Sequence, residues 1–141
     1  LYSYFVTANG ACGTSANGAC ASVLTMAACP PPEVAPGTTP STSQSWTNKT
    51  THAWPSEPAA TSYTLYRGTR ADLPQILNAA VDSCTKYAGA ATSTATITED
   101  PTGIPGRFYW YLVTGTNGGG EGPAGNATGG ARIVNSSGVC P

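Results

Sequence analysis

Apolar and aromatic residues come in short alternating bursts along this chain, separated by breaks rich in Gly and Pro. Residues 1–8 alternate and are dense in aromatic and β-branched side chains, with Tyr2, Tyr4 and Val6 on one face, which predicts a strand. Asn9-Gly10 is a turn signal, and the weaker apolar run over 19–28 would return as a second strand. Residues 1–29 are therefore expected to form a hairpin, which is marginal alone in water and must pack on something. Tyr63, Leu65 and Arg67 alternate with Thr64 and Tyr66, as a half-buried strand should. Residues 50–54, the Thr-rich 91–98 and the closing 129–134 are further strand candidates. Along 108–114, Tyr109, Tyr111 and Val113 are expected to face the core. Residues 72–82 are expected to be a short helix or an apolar loop, with Leu73, Ile76, Leu77 and Val81 at helix-like spacing after Asp72 as the cap and with Pro74 in the first turn. Short strands between Gly/Pro turns predict an all-β, antiparallel sandwich.

The stretch from Phe108 to Gly122 has a counterpart at the start of the chain. Without gaps, Tyr109, Tyr111, Val113, Thr114, Gly120 and Gly125 fall on Tyr2, Tyr4, Val6, Thr7, Gly13 and Gly18, and both copies run on to Cys-Pro, at Cys29-Pro30 and Cys140-Pro141. The chain thus reads as a partial repeat at 1–29, a linker at 30–40 and one whole repeat at 41–141. Pro30, Pro31, Pro32, Pro36 and Pro40 make the linker extended and stiff, a spacer holding the hairpin at a fixed distance.

Charged residues are 9% of 141 and the net charge is −1, so no field is available to steer phosphate backbones or anionic lipids. Nucleic-acid binding is not expected. Ser, Thr, Asn and Gly make up the remaining polar surface, which can hydrate or carry sugar. Five cysteines without a Cys-x-x-Cys spacing point to an oxidising, extracellular or cell-surface setting. With no initiator Met, no signal peptide and no apolar run long enough to span a bilayer, a mature or excised piece without membrane insertion is expected.

The run Tyr111-x-Val113-x-Gly115-x-Asn117-x-x-Gly120-Glu121-Gly122 resembles the penultimate strand and turn of a fibronectin type III domain. Trp54-Pro55 followed by Tyr63-x-Leu65-x-Arg67 resembles its second and third strands. The resemblance covers roughly residues 30–141 and implies a fibronectin type III/immunoglobulin-like sandwich with no chemistry of its own. Closer still are secreted bacterial versions with a Cys after the third strand, a Cys in the turn before Gly-Glu-Gly, and a final Cys-Pro. Cys84 and Cys140-Pro141 match that pattern, whereas Gly119 replaces the turn cysteine and Cys12 holds its place in the partial repeat. The resemblance therefore implies that Cys12 meets Cys84 of its own chain or of a neighbour. Local closure of Cys12 with Cys20, or of Cys20 with Cys29, is the alternative, and at least one of the five thiols is either free or bonded outside the chain.

No catalytic constellation is expected. His52, the only histidine, shares a strand face with Trp54, no Gly-x-Ser-x-Gly surrounds a serine, and Glu99, Asp100 and Asp82 read as turn residues rather than an acid/base pair. No metal or cofactor is expected; carboxylate and carbonyl oxygens over 99–106 are the nearest approach to a calcium loop. Phe108, Trp110 and Leu112, opposite the core-facing residues and beside Tyr66, form an apolar patch that, if exposed, is expected to make a protein contact, with carbohydrate stacking or cover from the hairpin or linker as the alternatives. Leu1, Tyr2, Tyr4 and Phe5 would carry the hairpin's own contact with a neighbouring subunit or repeat. Asn48, Asn126 and Asn135 stand in sequons, which chance in a Ser/Thr-rich chain is expected to account for; they remain candidates for N-linked sugar, with O-linked sugar at Thr38, Thr39, Ser41 and Thr42 of the linker at least equal to it. The reading is a non-enzymatic structural or assembly module of a filament or adhesin, with a carbohydrate-binding or adhesive accessory module as the alternative.

Overall fold

The computed structural model describes residues 9–10, 13–14, 28–102 and 105–141. Among these the chain is all-β. In order come β1 (Asn9–Gly10), β2 (Gly13–Thr14), β3 (Ser45–Trp46), β4 (His52–Ala53), β5 (Ser62–Thr69), β6 (Ser83–Gly89), β7 (Ser93–Thr94), β8 (Tyr109–Asn117), β9 (Gly120–Glu121), β10 (Asn126–Ala127), β11 (Gly130–Ala131) and β12 (Ser136–Val139). The main sheet has the order β12-β6-β5-β8-β9, and a three-stranded sheet the order β3-β4-β7. β12 pairs with β6 in parallel, so the main sheet is mixed rather than purely antiparallel.

The long strands follow the alternation of the sequence. Leu65 pairs with Val113, and Tyr63 with Gly115, on the inner face. Val34, Trp54, Tyr63, Leu65, Ile97 and Val113 form the core, with Ala35, Ala60, Tyr87 and Tyr111 packed against it. The two sheets meet through aromatic rings: Trp54 lies 6.0 Å from Tyr63 and 5.7 Å from Tyr87. Such rings remove large apolar areas from water and compensate for a small core.

Several expected elements differ. Asn9 and Gly10, expected as a turn, are instead paired as a strand with Thr14 and Gly13. The rest of the expected hairpin, with Leu1, Tyr2, Tyr4, Phe5, Cys12 and Cys20, lies outside the described residues. Residues 72–82 do not form an α-helix. A 3₁₀ segment, Arg70–Leu77, takes their place and has no buried residue. Its N-cap is Thr69 rather than Asp72, which lies inside the first turn and reaches back to accept from the Thr69 amide at 2.8 Å and hydroxyl at 2.7 Å. The Thr-rich strand shrinks to Ser93–Thr94, and the closing strand is Ser136–Val139 rather than 129–134.

The Pro-rich segment is part of the domain rather than a spacer over its first residues. Pro31 is fully buried and Val34 is 3% exposed. The Asn117 side-chain amide donates to the Cys29 carbonyl at 2.8 Å. A Cβ at Gly119 or Gly122 would strike the carbonyl of Ala28 or Pro31, so these glycines allow the backbone to lie against the β8–β9 turn.

Candidate functional site

The expected apolar platform is largely closed. Trp110 sits opposite Gly68 on β5 and its ring occupies the space a Cβ there would need. Its indole nitrogen donates to the Thr69 carbonyl at 2.9 Å. Tyr66 is buried, with its hydroxyl donating to Glu121 at 2.6 Å. Leu112 is half-buried, which leaves Phe108 as the exposed member of the four. The four share a sheet face, as the alternation requires, but cross-strand packing covers most of it.

More open than Phe108 is Trp46, 47% exposed on β3. Its ring makes T-shaped contacts with His52 at 4.9 Å and Tyr111 at 5.5 Å, which fix its orientation. It heads a cavity of about 790 Å³ whose wall includes Asn48, Lys49, Thr50, Asp100 and Thr102. Ile97, buried behind the rim, is tied to the loop by its amide, which donates to the Thr50 carbonyl at 3.2 Å. Asn48 closes this loop on itself: its Oδ1 accepts from the Thr50 and Thr51 amides at 2.9 and 2.8 Å and from the Thr50 hydroxyl at 3.1 Å. Sequence reasoning passed over Trp46 because it stands alone among polar residues with no apolar periodicity. A single tryptophan in a Ser/Thr/Asn-rich stretch was the available signal.

Behind Trp46, His52 is buried between rings, 6.1 Å from Trp54 and 5.7 Å from Tyr111. Its Nδ1 has no hydrogen-bond partner among the described residues, and burial lowers its pKa, favouring the neutral ring. Glu99 accepts from Arg67 at 2.9 Å and Lys86 at 2.7 Å. Burial alone would raise its pKa; the Lys86 hydrogen bond, helped by a backbone bond and both cations, outweighs this and holds it below the usual range. Arg67 also lies over the Tyr109 ring at 4.9 Å, with Arg107 at 5.5 Å.

Asp82 lies at a different place, lining a cavity of about 240 Å³ beside Cys84. It accepts from the Asn135 amide at 3.0 Å and returns its own amide to the Asn135 carbonyl at 3.1 Å. Asp100 accepts from the Thr102 amide at 2.9 Å, an ordinary turn closure in the loop considered for calcium. No group of three or more His, Cys, Asp or Glu residues placed to hold a metal occurs among the described residues.

Cys84 pairs with Cys140, so the implied Cys84–Cys12 bridge is corrected. The reason is the parallel β6–β12 pairing, which brings the two Cα atoms to 4.9 Å. Cys29 is also disulfide-bonded. Stable bridges mark an oxidising compartment. No described helix is long and apolar enough to cross a membrane.

Of the sequons, Asn48 and Asn126 are exposed. Asn135 is half-buried and its side-chain amide donates to the Asn78 carbonyl at 3.3 Å. Thr39, Ser41 and Thr42 are meshed by hydroxyl contacts of 2.9 to 3.1 Å around a 3₁₀ turn, and Thr38 reaches Thr42 at 3.3 Å. No family model, curated protein or solved structure matches the chain.

Proposed function

We propose that this chain is a non-enzymatic extracellular structural and assembly module, a fibronectin type III-like subunit or repeat of a surface filament or adhesin. Its N-terminal hairpin docks on a neighbouring subunit or repeat. The observation that carries this reading is the burial of Pro31 and Val34 in the sandwich core. A segment that merely tethered the hairpin would stay solvated. One embedded in the core hands the preceding residues out from a fixed point on the β8–β9 turn and keeps their docking entropy low. The Cys84–Cys140 bridge further stiffens the body that would bear load.

Two deletions test the proposal. Removing residues 1–27 together with Cys29→Ser, since Cys29 is disulfide-bonded and would otherwise be left with a reactive thiol, should leave a folded, monomeric sandwich that no longer assembles, read by size-exclusion chromatography and electron microscopy. Removing residues 1–35 should also lower the unfolding midpoint, because it takes Pro31 and Val34 out of the core. Undiminished assembly by the shorter deletion defeats the reading.

A further inference from the structure

We propose that the groove headed by Trp46 is a saccharide site, in which a pyranose ring stacks on the exposed indole and its hydroxyls are read by the polar wall.

Three observations converge on a sugar. First, Trp46 is 47% exposed yet held by T-shaped contacts with His52 and Tyr111, so the surface offered for stacking is already ordered. An ordered ring loses little conformational entropy on binding, whereas a free surface side chain would lose more. Second, the wall offers donors and acceptors side by side. The Lys49 ammonium donates, the Asp100 carboxylate accepts, and the Thr102 hydroxyl does either. The Asn48 amide joins the donors, because its oxygen is occupied by Thr50 and Thr51 and its nitrogen is the end that remains. Paired donors and acceptors around one apolar face suit a molecule with hydroxyls on its rim and C–H groups on its face. A nucleic acid would meet the Asp100 charge, and an apolar peptide would leave the rim's polar groups unpaired. Third, the cavity of about 790 Å³ falls within the size range of small-ligand sites.

The same sugar chemistry has two sources. Trp46 precedes the sequon Asn48-Lys49-Thr50 by two residues, and Asn48 lines the same groove, so a glycan on Asn48 places its first ring within reach of the indole. Its attachment joins the Asn48 nitrogen to the anomeric carbon of a lipid-diphosphate-linked sugar donor, releasing the diphosphate and one proton. A free saccharide would occupy the groove from solution.

The full chain separates these sources. Intact-mass and glycopeptide analysis of material from its native host reads the first. Titration of the unglycosylated full chain with N-acetylglucosamine, glucan and mannan oligomers, followed by tryptophan fluorescence, reads the second. A hexose or N-acetylhexosamine mass on Asn48, or saturable binding of one oligomer, supports the site. Trp46→Ala is then expected to weaken binding at least tenfold, or, where Asn48 carries the sugar, to speed release of the glycan by an endoglycosidase severalfold. Because Trp46 also packs on His52, Lys49→Ala is made in parallel; its exposed side chain can be removed without touching the core, and it should weaken oligomer binding severalfold at an unchanged melting temperature. An unmodified Asn48 together with no saturable binding of any oligomer overturns the proposal. Failure here leaves the deletion tests of assembly unaffected, since those read the N-terminal segment alone.

Discussion

Tyr66 on β5 and Glu121 on β9 are joined across the intervening β8 by a 2.6 Å hydrogen bond, and Thr114 of β8 donates to the same carboxylate oxygen. The Glu of the Gly120-Glu121-Gly122 turn is therefore a clamp over three strands. Burial first, and then this bond, raise the Tyr66 pKa well above its ordinary value. Burial likewise raises that of Tyr111 to about 12.

Both shifts favour the protonated phenol in the folded chain, so the stability they carry is intact below the unfolded tyrosine pKa of about 10 and declines as pH rises above it. Urea unfolding at pH 8 and pH 10.5 should show this loss, and Tyr66→Phe should reduce it. An unchanged pH dependence in that variant would remove Tyr66 as its source.

Gly68 should tolerate no side chain. An added Cβ would enter the Trp110 ring and break the indole bond to the Thr69 carbonyl, and such overpacking costs about 1–3 kcal/mol. Gly68→Ala is therefore expected to lower the urea midpoint, while Gly68→Ala combined with Trp110→Leu should recover part of the loss.

His52 predicts an acid-side slope. Its pKa is lowered by burial, so below the unfolded value of about 6.5 the unfolded chain takes up a proton that the folded chain refuses. Stability should fall from pH 7 to pH 5, a window in which no other histidine titrates. A flat profile for wild type, or an equal slope in His52→Phe, would contradict this origin.

The Cys84–Cys140 bridge spans a sequence separation of 56. Loop-closure entropy for a ring of that size corresponds to about 4 kcal/mol, an upper figure because strain and residual structure reduce it. Cys140→Ser should lower the unfolding midpoint and raise hydrogen exchange at the Cys140 amide, which donates to the Thr85 carbonyl at 2.9 Å. Equal protection in the variant would show that the pairing holds β12 without the bridge.

The strands Ser62–Thr69 and Tyr109–Asn117 were legible in the sequence, because one buried face imposes a period of two that the residues display. So were the core-facing roles of Tyr111 and Val113, whereas Tyr109, expected beside them, is not part of the core and lies under Arg67 and Arg107. β6 was not, since Ser-Cys-Thr-Lys-Tyr-Ala-Gly carries no apolar alternation; Lys86 becomes acceptable there through Glu99, a partner 13 residues away that no local pattern announces. The Pro-rich segment looked like a spacer for a similar reason. Local chemistry excludes helix from it, but only the space left beside Gly115, Gly119 and Gly122 draws Pro31 and Val34 inside. The candidate site divides the same way. Alternation correctly put Trp110 and Tyr66 on the outer sheet face, whereas their closure by Gly68 and Glu121, and the opening of Trp46 onto a polar groove, rest on contacts between residues far apart in the chain. Periodicity assigns a side chain to a face; tertiary packing alone decides whether that face stays in water.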